Sequence, residues 1–242
     1  MDVGIITVAM AKYPIFLELR GRRVVVVGGG LVAFRKAEVL VEAGARLVVV
    51  AKQACSAMAR LCDERSVELI KARYSKGYLG AAALVIAATN DQAVNRRVFE
   101  DCQQLEILCN VVDQPQLCDF FVPAVVRRGD LQIAVGTEGF CPAYASHLRK
   151  KLEQIVTPDH GRFLALLEAF RNRLIKEVAE PSLRKALLGQ LVSDASFQVF
   201  VEQGTAAWRR HAGKLIRESA TSALAETGTS KVTDPAGPEA ME

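Results

Sequence analysis

The run VVVVGGGLVAFRKA at residues 24–37 constrains the fold more than any other segment. Four consecutive valines favour extended backbone and are too apolar for a strand with one wet face. Three glycines then end the strand in a turn without side chains. Beyond them Ala33, Ala37, Leu40 and Val41 recur at helical spacing until Gly44. Gly28-x-Gly30-x-x-Ala33 therefore lies between a strand and a helix, the context in which such a pattern has physical meaning. Gly28 permits a tight turn, Gly30 lets a pyrophosphate approach the backbone, and Ala33 lets the helix pack close to the strand. Free N–H groups at the helix start then face the phosphates. This predicts a dinucleotide site; a tight structural turn is the other reading of the same residues.

Further β-branched or apolar runs follow at 47–50, 84–88, 107–112 and 131–135, with a shorter one at 67–70, and helical patterns separate them. Such alternation reads as a mainly parallel sheet covered on both faces. The last run follows a turn at Arg128-Gly129-Asp130 and falls outside the simple alternation. From Pro142 the texture is helical. One stripe runs through Ala145, Leu148, Leu152 and Ile155, and another from Phe163 to Val178, ended by Pro181. Shorter helices are expected over 182–191 and 206–218. The expected plan is α/β: a Rossmann-like parallel sheet over 1–141, a helical dimerisation and substrate-enclosing region over 142–220, and a disordered acidic tail over 221–242. A helical cap folded on its own sheet is the alternative to a homodimer interface.

In an open parallel sheet the carboxyl ends of the strands line the ligand crevice. Thr89 and Asn90 follow one strand and are expected to contact the cofactor, while Asn90 or Asp91 also suits the cap of a helix beginning near Gln92. Asn110 and Asp113 follow the next strand and point to the same rim. The acid that would hold a ribose 2′-hydroxyl is missing after the second strand, where Lys52 and Gln53 stand instead. Lys52 suits a 2′-phosphate or plain solvent, which leaves NAD against NADP open.

Six cysteines without a C-x-x-C pair read as thiols of a reducing compartment rather than a disulfide framework. The three histidines form no zinc-like cluster with them, so no protein-held metal is expected. No apolar run reaches the about 18 residues of a membrane span, and the N-terminus lacks a basic leader, so the expected location is cytoplasmic. The net charge of +4 hides an imbalance: residues 221–242 hold four acids and one base, leaving +7 on the rest. That excess favours an anionic ligand. One Trp and four Tyr offer little for base stacking, and no recognition motif accompanies the bases, so nucleic acid is not the expected partner.

Taken in order, Pro14-Ile15-Phe16-Leu17, the glycine segment 24–45, AATNDQAVN (87–95), CNVVDQP (109–115), FFVPAVVRRGDLQIAVGTEGFCP (120–142) and LRKKLE (148–153) resemble the siroheme synthase N-terminal family. Its members are precorrin-2 dehydrogenases, some also sirohydrochlorin ferrochelatases. The resemblance covers about residues 13–155, and the expected form is the stand-alone enzyme without a methyltransferase domain. It implies oxidation of precorrin-2 to sirohydrochlorin with NAD⁺, and in bifunctional members insertion of Fe²⁺ as a second substrate. It places cofactor contacts on Leu31, Val32, Lys52 and Gln53 and a crucial aspartate on Asp113. The family's S-x-G-x-S-P segment falls on Thr137, Gly139 and Cys141-Pro142. Thr137 keeps a hydroxyl, whereas Cys141 replaces one with a weaker donor.

Oxidation needs a nicotinamide against the carbon losing hydride and a group to take the proton. Asp113 is the best general base in the chain, with a structural turn cap as its bland alternative; work near neutral pH would call for partial burial. His147 follows Pro142 and is more simply a surface residue. A tetrapyrrole polycarboxylate gives the bases Arg127, Arg128, Arg149, Lys150 and Lys151 a use, and Arg149 is the expected substrate contact; a solvated helix face is the alternative for 149–151. A different class of function also uses the glycine turn: an NAD(H)-sensing regulatory dimer without chemistry, which gives Asp113 no role.

Overall fold

The computed structural model describes residues 12–228, with side chains through residue 218. Five strands, β1 (Arg23–Val27), β2 (Arg46–Val50), β3 (Glu68–Ile70), β4 (Leu84–Ala87) and β5 (Leu108–Val111), form a parallel sheet in the order β3-β2-β1-β4-β5. The helices between them are α1 (Leu31–Glu42), α2 (Ser56–Glu64) and α3 (Gln92–Gln104); the β3–β4 connection contains only a short 3₁₀ turn. The doubly wound Rossmann-like arrangement expected from the sequence is present.

The valine runs explain why both faces are buried. In register, Val25 pairs with Val48 on one side and Val85 on the other. Because side chains alternate along a strand, Val25, Val27, Val48, Val50 and Val85 pack with Val98 and Cys102 of α3. Val24, Val26, Leu47, Val49 and Ile86 pack with Ala33, Ala37 and Leu40 of α1 and Met58 of α2. Strand order reverses between β1 and β4, so the carboxyl ends of these two neighbours open the crevice at which such sheets bind ligands.

After β5 the chain makes a hairpin, β6 (Ala124–Arg128) and β7 (Leu131–Val135), then helices α4 (Pro142–Ile155), α5 (Pro158–Glu177), α6 (Pro181–Leu191) and α7 (Asp194–Gly228). The first compact unit contains residues up to 123 and 136–145; the second contains the hairpin and the chain from Ser146. The hairpin thus groups with the helical segment, whereas the sequence reading placed it before a boundary at 141. Its first strand, AVVRR, was not anticipated because its apolar half is only three residues long. Helix α7 also begins earlier than expected, with a break at Gly204 (φ 81°), and continues to Gly228 across the start of the expected acidic tail. Residues 229–242 of that tail lie outside the described residues.

The second unit has its own core of Phe163, Phe170, Leu174, Leu187, Leu191, Phe200, Trp208 and Ile216. Trp208 is fully buried, meeting the rings of Phe170 at 4.9 Å and Phe163 at 5.4 Å edge to face. Its indole N–H donates to the buried Ser196 hydroxyl at 2.8 Å. Within this unit α5 lies so close to β6 that a Cβ on Gly161 would stand 2.3 Å from the Arg128 carbonyl oxygen. Among the described residues no helix is long and apolar enough to cross a membrane.

All six cysteines are free. Burial, reinforced by Asp63, pushes the Cys62 thiol up; a hydrogen bond with Cys102 and burial push Cys109 up; burial does the same at Cys118. Each shift favours the neutral thiol over the thiolate. Ser196→Ala leaves the Trp208 N–H buried without an acceptor, and urea denaturation should show a loss of about 1–3 kcal/mol; an unchanged midpoint would mean that the indole finds another partner.

Candidate functional site

The site is built on the turn from β1 into α1. Gly28 has φ 132°, and a Cβ there would stand 2.3 Å from the Ala88 carbonyl oxygen beyond β4. At Gly29 a Cβ would stand 2.1 Å from the Gln53 carbonyl oxygen and 2.9 Å from the Ala51 side chain. The turn is therefore wedged between the ends of β2 and β4, fastened by Gly28 N–H donating to Val50 O and Cys55 N–H to Gly29 O. The sequence reading gave no role to Gly29, yet it makes the tighter contact; a third glycine between two motif glycines carries no periodic signal.

Gly30 is different. It is exposed, and a Cβ there would meet nothing within 4 Å. It is the N-cap of α1 without a side-chain cap, and no acid stands in the first turn. The first N–H groups of α1 are thus left to an outside acceptor beside an open backbone. Leu31 and Val32, 54% and 48% exposed, flank that opening, while Ala33 is buried as the close helix–strand contact. Lys52 and Gln53 are exposed just after β2, and no acid is among them. These features fit a dinucleotide pyrophosphate.

Thr89 and Asn90 follow β4. The Thr89 backbone N–H and hydroxyl both donate to Asn95 Oδ1, at 3.1 and 2.7 Å, and Asn95 returns its amide to Thr89 O at 3.0 Å. Thr89 is thus committed to holding the strand end on α3. Asp91 is the helix cap, accepting from the Ala93 and Val94 N–H groups at 3.0 and 3.2 Å. Asn90 is exposed on the rim and does not cap the helix.

Beyond β5 the predicted residues separate. Asn110 is buried, its amide donating to Phe120 O at 2.8 Å and reaching Cys118 Sγ at 3.4 Å. It supports the returning segment 118–120 instead of presenting its amide to the rim as expected. Asp113 has φ 59°, a left-handed conformation that costs a non-glycine residue about 1 kcal/mol or more. It is exposed, not partly buried as the sequence argument called for. Its carboxylate makes no hydrogen bond or ion pair among the described residues, and Gln114, not Asp113, precedes the following 3₁₀ turn as an N-cap without a side-chain bond. A structural cap does not account for it.

Thr137 and Gly139 lie in a tight turn of the first unit, in which Phe140 N–H donates to Thr137 O at 2.8 Å. Cys141 is exposed before α4. Arg149 belongs to the second unit, where its guanidinium pairs with Glu153 one turn along the same helix. Arg128 is committed structurally as well: it donates to Val156 O at 2.8 Å and Glu153 O at 3.2 Å, satisfying carbonyls at the end of α4. The expected substrate role for Arg128 gives way to this capping. His147, Lys150 and Lys151 are exposed on α4. Among the described residues no group of three metal-ligating side chains occurs.

Comparison with known proteins is consistent with this geometry. Residues 15–124 match a family model described as putative NAD(P)-binding. The siroheme synthase of Thioalkalivibrio sulfidiphilus is 36% identical over 79% of this chain and 39% of its own length. That of Nitrosospira multiformis is 40% identical over 71% of this chain and 37% of its own. That of Pseudomonas paraeruginosa is 37% identical over 90% of this chain and 46% of its own. The chain therefore spans less than half the length of these relatives. The solved structure of SirC, a precorrin-2 dehydrogenase, superposes with a TM-score of 0.71 at 24% identity, covering 84% of this chain and all of that one, which supports the fold.

The two neighbouring glycines separate packing from ligand approach. Gly29→Ala should destabilise the protein by about 1–3 kcal/mol, because backbone must move to admit the methyl group. Gly30→Ala should keep the wild-type melting temperature yet weaken NAD⁺ binding by roughly tenfold or more. Calorimetry and thermal denaturation read both; equal NAD⁺ affinity in Gly30→Ala and wild type would remove the pyrophosphate from this turn.

Proposed function

The chain belongs to the siroheme synthase N-terminal family, and from that premise we propose that it oxidises precorrin-2 to sirohydrochlorin with NAD⁺. The observation that carries the chemistry is Asp113: an exposed, strained carboxylate at the carboxyl edge of the sheet with no structural partner among the described residues.

In this oxidation the macrocycle loses a hydride from carbon and a proton, and gains a double bond. Bound NAD⁺ supplies the hydride acceptor. The chain's own part is to bind, orient and move the proton. The α1 N-terminus and the open backbone at Gly30 receive the pyrophosphate, with Leu31 and Val32 against the cofactor. Lys52 and Gln53 stand where the ribose next to adenine would lie. The Asp113 carboxylate accepts the proton released as the double bond forms, a role suited to an acceptor free of competing bonds. Thr137 offers a hydroxyl and the Gly139 turn a close approach to the tetrapyrrole. In the second unit Arg127, Lys150 and Lys151 are exposed, and the expected substrate contact Arg149 is paired with Glu153.

Iron insertion is proposed as a second activity of the same chain. Fe²⁺ is a substrate there, and the ring nitrogens become its ligands once deprotonated, so Asp113 is also positioned to take those protons. The proposed assembly is a homodimer through the helical region.

Anaerobic incubation of the protein with enzymatically generated precorrin-2 and NAD⁺ should yield NADH and the sirohydrochlorin spectrum together. Asp113→Asn should lower kcat by about 10²–10⁴-fold with NAD⁺ affinity unchanged. Wild-type protein that forms no precorrin-2-dependent NADH would overturn the dehydrogenase reading. Equal turnover in the variant would remove Asp113 from the reaction.

A further inference from the structure

The turn that carries Thr137 is held from outside itself. Its central residues, Glu138 (φ 54°) and Gly139 (φ 83°), both lie in the left-handed region, and Phe140 N–H closes it onto Thr137 O. Two positive φ values inside such a closed turn are the signature of the type I′ turn, which selects glycine, asparagine or aspartate. Gly139 meets that demand. Glu138 does not, and an L residue of its length gains nothing from the conformation by itself.

What Glu138 gains is a contact to a segment 126 residues earlier in the chain. Its Oε1 accepts from the Lys12 backbone N–H at 3.1 Å, and its Oε2 lies 3.6 Å from Lys12 Nζ. The same ammonium group stands over the Phe121 ring, 4.6 Å from its centroid. Phe121 in turn abuts the turn from the other side: a Cβ on Gly139 would stand 3.0 Å from its Cε1. Lys12, Phe121 and Glu138 therefore enclose the turn, all within the first unit.

We propose that Lys12 and Glu138 are positioning residues for the tetrapyrrole, acting through Thr137 by holding its turn in the left-handed geometry. This deepens the dehydrogenase reading and rests on it. A glutamate at a position that favours glycine, tied to a distant lysine through both backbone and side chain, exchanges local backbone ease for a fixed hydroxyl. The ion pair is partly exposed, 47% and 32% for the two side chains, so it adds little to global stability and removing it does not unfold the chain. Its consequence is local order at Thr137.

The experiment compares wild type, Lys12→Met, Glu138→Gln and Lys12→Arg by steady-state kinetics with precorrin-2, NAD⁺ calorimetry and amide hydrogen exchange at Phe140. Lys12→Met and Glu138→Gln should each raise KM for precorrin-2 roughly five- to tenfold and speed Phe140 exchange, with kcat and NAD⁺ affinity unchanged. Lys12→Arg, which keeps the charge, should stay near wild type. Added salt, which screens so exposed a pair, should quicken Phe140 exchange in the wild type and leave Glu138→Gln unaffected; this reads the contact even where a substituted chain fails to fold. The proposal is overturned by unchanged KM and exchange in both variants. It is equally overturned by losses that fall alike on NAD⁺ affinity, melting temperature and KM, which would mark general structural damage. Absence of precorrin-2-dependent NADH in the wild type would instead reject the dehydrogenase reading, and Phe140 exchange would still decide whether Lys12 holds the turn.

Discussion

The architecture of the first unit depends on a place where backbone meets backbone. Between β1 and α1 the chain passes so close to the ends of β4 and β2 that neither Gly28 nor Gly29 has space for a methyl group. This contact sets where α1 begins and therefore where its unpaired N–H groups are aimed. It also explains the division of labour among three successive glycines. Two are required by the protein's own packing, and the third, Gly30, is not, because its surroundings are empty. Space that the fold does not need, beside donors that the fold does not satisfy, is the physical form of an anion site.

Charge is distributed less simply than its total suggests. The body of the chain carries a positive excess, yet individual bases serve different ends. Arg128 is bound to the carbonyls that end α4, and Arg149 is paired within that helix. Arg23 hooks the Tyr78 and Gly80 carbonyls after β3 at 2.9 and 2.8 Å. A guanidinium satisfies several carbonyl groups at once, which suits it to fastening irregular backbone. The bases that the fold leaves exposed are therefore a smaller set than counting arginines implies.

The parallel sheet and its covering helices were legible because burial on both faces demands near-continuous valine and isoleucine, a pattern few other structures produce. The glycine turn was legible because its spacing follows from strand and helix geometry. What escaped notice depends on contacts distant in sequence. Gly29 is explained only by Gln53, the commitment of Asn110 only by Phe120, and the Glu138 turn only by Lys12. The hairpin β6–β7 was half seen, since β6 mixes three apolar residues with two arginines, and its membership in the helical unit follows from the close approach of Gly161 to Arg128. The early start of α7 was hidden by Gly204, which interrupts the helical periodicity where the backbone itself departs from helix.

Three aspartates stand near strand ends along one edge of the sequence pattern, and only the structure separates them. Asp91 accepts two N–H groups at the start of α3. Asp119 accepts from the Cys109 N–H at 2.8 Å and from Gln103 at 3.1 Å, which ties the returning segment to β5. Each therefore holds the fold, and removing its carboxylate would leave backbone donors without partners. Asp113 holds nothing among the described residues, although it occupies the costliest backbone conformation of the three. A carboxylate that contributes no bond to its surroundings is not required by stability, because glycine or asparagine would fill this left-handed position at equal or lower cost. The proposed proton-accepting role would give an aspartate there a use, and its place at the carboxyl edge of β5 lies on the side of the sheet where the glycine turn opens.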